Sequence, residues 1–317
     1  MDRDKILVTG GCSFSDGAPF IKENTYRKTW TNYIKEKYNF KKYVHTAQPA
    51  SGNEIIAERV IYALQTLLDS GHLSDNLYVG IMWSGVERKD LFVSLRETPD
   101  YKNIYQKDGN NTPLIVKSSI NTNVMDLRDK KHTTETFPDM SPTMHIDRGY
   151  IRPGGLPYRD DWWKNKPQRD YFNLWYDNFY SVEKQFIDTL KSILLVQTFC
   201  ERHNIKYFMS VWQNIFSSDN KSGDLPPKTY STTYEKSRKK PLYVDVYEHT
   251  SKYLWDSLDF DKFIFFENKD VVYGGLGEYA VINELEFWED NGHINYKGHT
   301  IFIDEYSEQI EKLWKIK

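Results

Sequence analysis

The stretch Lys5-Ile6-Leu7-Val8-Thr9-Gly10-Gly11-Cys12-Ser13-Phe14-Ser15-Asp16-Gly17 decides the fold. An apolar, β-branched run from Ile6 to Val8 is cut off by Thr9-Gly10-Gly11, and small polar residues follow. A buried parallel strand ends this way when it enters a tight turn that presents a hydroxyl at its C-terminal edge. Ligands of open α/β sheets bind just beyond the carboxyl ends of the strands, so the turn carrying Ser13 is the first candidate site.

Outward from this strand, the pattern alternates. Thr29-Trp30-Thr31-Asn32-Tyr33-Ile34 opens a helix that ends near Tyr38-Asn39, and Lys42 to His45 reads as a second strand. A helix is expected over residues 54–68, with Ser51-Gly52-Asn53 at its cap, and a third strand over 77–83. The longest helix is expected over 170–203, where Phe172, Trp175, Tyr176, Phe179, Phe186, Leu190, Ile193, Leu194 and Phe199 form one apolar face. A fourth strand is expected over 206–212, a weak fifth over 262–266, and a closing amphipathic helix over 298–313. Strands alternating with helices predict a three-layer α/β/α parallel sheet, and right-handed crossovers make 2-1-3-4-5 its natural order.

Two excursions interrupt this single domain of residues 1–317. Residues 98–168 are turn-rich, with no sustained helical or strand period, and read as an insertion after the third strand that acts as a cap. Residues 213–241 form a second loop insertion, with the basic run Lys236-Ser237-Arg238-Lys239-Lys240 as a solvated face.

The net charge of -3 and a pI near 6.3 argue against general attraction to nucleic acid or an anionic membrane. No apolar run approaches the roughly 18 residues of a membrane span, and Met1-Asp2-Arg3-Asp4-Lys5 leads straight into a strand, so a cytoplasmic protein is expected. Cys12 and Cys200 offer neither a disulfide framework nor a spaced metal site, and Cys12 reads as a small filler beside the turn.

Lys5 to Gly11 resembles the opening of the extended short-chain dehydrogenase/epimerase family, whose phosphate turn is T-G-G-x-G-x-x-G. Here Ser13 and Asp16 stand where its third and fourth glycines belong, so a side chain would crowd the pyrophosphate and a carboxylate would repel it. The second strand ends without the acidic residue that holds the ribose, and Tyr180 and Lys184 form only an isolated Tyr-x-x-x-Lys pair. Binding of a nicotinamide dinucleotide is expected to be absent.

The far end of the chain carries Asp290-Asn291-Gly292-His293-Ile294-Asn295-Tyr296-Lys297-Gly298-His299. Gly11-Cys12-Ser13-Phe14-Ser15, taken with this D-x-x-H segment, resembles the SGNH/GDSL hydrolase superfamily. The resemblance implies a flavodoxin-like fold, Ser13 as nucleophile, His293 as general base and Asp290 as the residue that holds the imidazole. Elementary geometry agrees, since an Asp three residues before a His on a turn can bond Nδ1 while Nε2 points at the serine. His299 is the other conceivable base, but on a helix begun near Gly298 it lacks the Asp partner.

The segment Ala50-Ser51-Gly52-Asn53 resembles the family's second block, which implies the Gly52 N–H, with Asn53, as oxyanion donors. After the third strand the family has Gly-x-Asn, whereas this chain has Trp83-Ser84-Gly85-Val86-Glu87-Arg88. Ser84 or Asn53 is therefore expected to replace the missing donor, Trp83 to wall the pocket, and Arg88 to position substrate or form a surface ion pair. In the cap, Tyr150, Tyr158 and Asp160-Asp161-Trp162-Trp163-Lys164 would stack on a sugar ring or simply anchor the loop.

The resemblance thus implies a serine esterase or acyl-transfer enzyme without metal or organic cofactor, acting on small O-acyl groups such as O-acetyl groups of carbohydrate. A binding or structural protein on the same frame is the alternative that the missing Asn donor invites.

Overall fold

β1 (Ile6–Gly10) pairs in parallel with β2 (Lys42–His45) on one side and β3 (Leu77–Trp83) on the other, with Val8 opposite both Val44 and Val79. The computed structural model describes residues 5–16, 28–47, 51–86, 88, 91–94, 115–117, 148–151, 174, 178–179, 181–216, 252–269, 271–287 and 293–316. β7 (Lys206–Val211) continues the sheet beside β3, and β8 (Phe263–Ile264) closes it, all in parallel. The spatial order β2-β1-β3-β7-β8 is the expected 2-1-3-4-5, and helices flank the sheet in a three-layer α/β fold. Three further strands, β4 (Leu91–Ser94), β5 (Ile115–Lys117) and β6 (Arg148–Ile151), form a separate antiparallel sheet in the order β4-β6-β5. Two of them fall within the excursion read as patternless, because strands of three and four residues are too short to show a period. The rest of that excursion, including Tyr158 and the segment 160–164, lies outside the described residues, as does the second excursion beyond Phe216.

Strand residues point alternately to opposite faces of a sheet, and this alternation divides the core. Ile6, Val8, Val79 and Ile81 pack with α3 (Asn53–Asp69) and α4 (Val182–Arg202). Leu7, Tyr78 and Met82 pack with α2 (Trp30–Lys37), α6 (Leu276–Ile282), α7 (Tyr296–Glu305) and α8 (Ser307–Trp314). Two short helices complete the set: α1 (Ser13–Asp16) follows β1 directly, and α5 (Lys252–Trp255) precedes β8.

Two helices differ from their expected spans for local reasons. α4 begins at Val182 because Ser181, in extended conformation, caps it by accepting a hydrogen bond from the Lys184 N–H at 3.2 Å. Phe179 before that cap is exposed and is not part of the core face. The expected closing helix is two helices: Asn295 caps α7 through its side-chain oxygen, and the chain turns at Tyr306 before α8. The turn sends Trp314 into the core, fully buried, where its Nε1–H donates to the Val79 carbonyl at 3.1 Å. Among the described residues, no helix is long and apolar enough to cross a membrane.

Candidate active site

The turn after β1 is held from several sides. The N–H groups of Ser15 and Asp16 both donate to the Cys12 carbonyl, which winds α1 at once out of the strand. Gly11 has a φ of +154° and lies so close to Ser15 that a Cβ there would overlap its Oγ, so only glycine fits. Ser15 is fully buried, accepts a hydrogen bond from Trp30 Nε1–H at 3.0 Å through Oγ, and receives the Thr29 hydroxyl on its carbonyl at 2.7 Å. Cys12 is buried beneath the turn, in keeping with its reading as a filler. Ser13 is left half-buried at the C-terminal edge of the sheet.

The opposite end of the chain delivers His293. Ile294 is buried and pairs with Phe287 in an isolated antiparallel bridge, which pins the backbone beside the histidine. Asn295 secures the next position: its N–H donates to the Glu286 carbonyl, its Nδ2 to Glu286 Oε2 at 2.8 Å, and its Oδ1 accepts from the Gly298 N–H. So held, His293 Nε2 lies 2.9 Å from Ser13 Oγ, across 280 positions of sequence. With the ring proton on Nδ1, the serine hydroxyl donates to Nε2, the arrangement that prepares a hydroxyl for nucleophilic attack. Asp290, the expected third member, lies outside the described residues.

His299 follows on α7 and is fully buried. Burial, and secondarily the neighbouring His293, pull its pKa from 6.5 down to about 3, so it stays neutral near neutral pH. The contact with Ser13 belongs to His293.

The expected oxyanion groups separate into two kinds. Gly52 is buried and is the N-cap of α3 at the same edge of the sheet. Asn53, expected as a side-chain donor, is otherwise engaged: its Oδ1 accepts from the Ser84 N–H at 2.8 Å, while its Nδ2 donates to the Ser84 carbonyl and to Thr189 Oγ1, each at 3.0 Å. Both amide hydrogens are thereby committed, and Asn53 serves as a brace between α3, α4 and the end of β3. Ser84 is held by this brace through its backbone, whereas its buried Oγ has no hydrogen-bond partner among the described residues. Trp83, expected to wall the pocket, is fully buried in the core with α3 and α4. Arg88 is half-buried, its N–H bonds the Gly85 carbonyl, and its buried Nη1 has no hydrogen-bond partner among the described residues.

The features that weigh against a dinucleotide turn have their own roles here. Asp16 Oδ1 lies 3.2 Å from His45 Nε2, and His45 Nδ1 is 2.7 Å from the Tyr43 hydroxyl and 3.0 Å from Thr9 Oγ1. Lys184 is exposed and pairs with Asp188 one turn along α4, while Tyr180 lies outside the described residues.

Two aromatic residues to which the sequence analysis gives no role of their own stand beside the site. The Phe14 ring stacks on Trp212 with an interplanar angle of 8°, and its centroid is 4.5 Å from that of the His293 ring. Trp212 follows β7; its N–H donates to the Trp83 carbonyl and its own carbonyl accepts from the Gly277 N–H in the first turn of α6. Glu278, buried in that same turn, accepts from the N–H groups of Gly275 and Asn214 at 2.8 and 2.9 Å. Burial pushes its pKa up, and these backbone donors partly oppose the shift. Phe14 stands inside the motif, but the sequence does not say which ring it meets, and nothing distinguishes Trp212 from the many other aromatics.

Comparison with protein-family models, with curated proteins and with solved structures finds no match to this chain. Any assignment of function therefore rests on the fold and on the geometry around Ser13. A hydroxyl paired with an imidazole at the C-terminal edge of a parallel sheet is suited to nucleophilic attack on a carbonyl and to return of the proton to a leaving group.

Proposed function

We propose that the chain is an SGNH-type serine hydrolase or acyl-transfer enzyme acting on small O-acyl esters. The observation that carries this is the 2.9 Å contact between Ser13 Oγ and His293 Nε2, made by residues from opposite ends of the sequence. Ser13 attacks the ester carbonyl as His293 takes its proton; collapse of the tetrahedral intermediate expels the alcohol, which leaves with that proton. Water or an acceptor hydroxyl then attacks the acyl-serine with His293 again as base, and the acid or new ester departs. Asp290 is assigned to the Nδ1 side of the imidazole.

The oxyanion is assigned to the N–H of Ser13 and to the start of α3 at Gly52. Because the Asn53 amide is committed, the hydroxyl of Ser84, without a hydrogen-bond partner among the described residues, is the side chain that takes the third donor's place. An O-acyl group on carbohydrate remains the preferred substrate class, by analogy with the family that the motifs resemble.

Hydrolysis of p-nitrophenyl acetate and butyrate tests the proposal. Turnover by the wild type that disappears in Ser13→Ala supports it; equal rates in both proteins contradict it.

A further inference from the structure

A general base must present one ring nitrogen to the nucleophile, and the plane of its ring must be held as well as its edge. Ser13 fixes the Nε2 edge of His293, and Phe14 meets the face of the ring, tilted by 32° with centroids 4.5 Å apart. Phe14 is backed by the parallel indole of Trp212, so three rings form one column: Trp212, Phe14, His293. The column has a fixed base, since Trp212 is tied through its backbone to Trp83 and Gly277, and a Cβ on Gly277 would lie 3.0 Å from the Trp212 carbonyl oxygen. Phe14 and Trp212 are both buried, leaving little freedom for either ring.

We infer that Phe14, supported by Trp212, is the positioning residue of the base: it sets the plane of the His293 imidazole and stabilises the imidazolium formed when Ser13 releases its proton. The inference rests on the serine-hydrolase function proposed above. The charge on that imidazolium would develop over an aromatic face, where the ring quadrupole attracts a cation within about 6 Å. An aliphatic side chain of similar bulk would fill the space without holding a ring plane or attracting the charge. Position 14 therefore demands an aromatic ring. One dipeptide, Ser13-Phe14, then supplies both the nucleophile and the support of its base.

The test compares Phe14→Tyr, Phe14→Leu and Trp212→Leu with the wild type. It measures kcat and KM on p-nitrophenyl acetate, melting temperature, and the imidazole C–H resonances of His293, identified by their loss in His293→Gln. Phe14→Leu is expected to lower kcat by about 10- to 100-fold, the scale of a misoriented catalytic group, with KM changed less than about twofold. Phe14→Tyr is expected to retain kcat within about threefold, and Trp212→Leu to fall between them. The His293 resonances, shifted upfield by the Phe14 ring current, should return downfield in Phe14→Leu and hold in Phe14→Tyr. An unchanged kcat in Phe14→Leu would overturn the inference and leave the hydrolase proposal standing. So would equal losses in the Tyr and Leu variants that track their melting temperatures. A wild type that hydrolyses no ester would instead refute the hydrolase proposal, and the resonances would then decide the positioning alone: unmoved His293 signals in Phe14→Leu would overturn it.

Discussion

Asn53 holds Ser84 by both of its backbone polar groups, accepting from its N–H at 2.8 Å and donating to its carbonyl at 3.0 Å. The pair joins the first turn of α3 to the exit of β3, and the second amide hydrogen of Asn53 extends the brace to Thr189 on α4. Asn53→Ala strips partners from a buried N–H and a buried carbonyl. Each unsatisfied group costs about 1–3 kcal/mol, so a loss of about 2–5 kcal/mol is expected in denaturant unfolding. A stability within about 0.5 kcal/mol of wild type would show that the brace carries no load.

Ser84→Ala is expected to behave in the opposite way. The buried Oγ has no partner among the described residues, so its removal should leave the unfolding midpoint nearly unchanged or slightly raised. If that hydroxyl meets the oxyanion, kcat should fall by about 10- to 1000-fold. An active Ser84→Ala enzyme at wild-type kcat would leave the oxyanion to backbone donors alone.

His299 makes stability depend on acidity. Its pKa is about 3 in the folded protein against an ordinary 6.5, so the unfolded chain takes up a proton over a range where the folded one does not. The contribution is fully present above pH 6.5 and is lost as pH falls towards 3. Its slope approaches about 1.4 kcal/mol per pH unit. Unfolding free energy measured in steps from pH 7 to pH 4 should therefore lose that slope in His299→Gln. Parallel curves for the two proteins would contradict a buried neutral His299.

Trp314 should be the most costly aromatic to remove near the end of the chain. It is fully buried, bonds the Val79 carbonyl, and meets Phe40 and Tyr78 edge-on at 5.5 and 5.7 Å. Trp314→Ala is expected to cost about 3–5 kcal/mol in chemical denaturation, and Trp314→Phe less. A loss below about 1 kcal/mol would mean that α8 is not anchored through this side chain.

The sheet was legible because its signals are local and redundant. Ile6 to Val8 and Leu77 to Trp83 are uninterrupted apolar runs bounded by turn residues, and right-handed crossovers leave few orders for such strands. The meeting of Ser13 and His293 was legible for a different reason: the motifs at Gly11–Ser15 and Asp290–His293 resemble the two end blocks of one family. The brace was not legible, because Asn53 reads equally as a helix-cap residue or an oxyanion donor until Ser84 is seen across 31 positions. The break at Ser181 was hidden by apolar spacing that continues on both sides of a capping serine. Trp212 lay beyond reach for a similar reason, since a residue at a strand exit carries no sign of which ring it will meet.

Covalent labelling asks whether Ser13 is a nucleophile activated by His293. The wild type, Ser13→Ala and His293→Ala would be incubated with a fluorophosphonate and their peptides mapped by mass spectrometry. The probe's mass is expected on Ser13 in the wild type, none at that position in Ser13→Ala, and labelling slowed by at least about 100-fold in His293→Ala. A wild type that takes up no label, or carries it on another residue, would contradict Ser13 as an activated nucleophile.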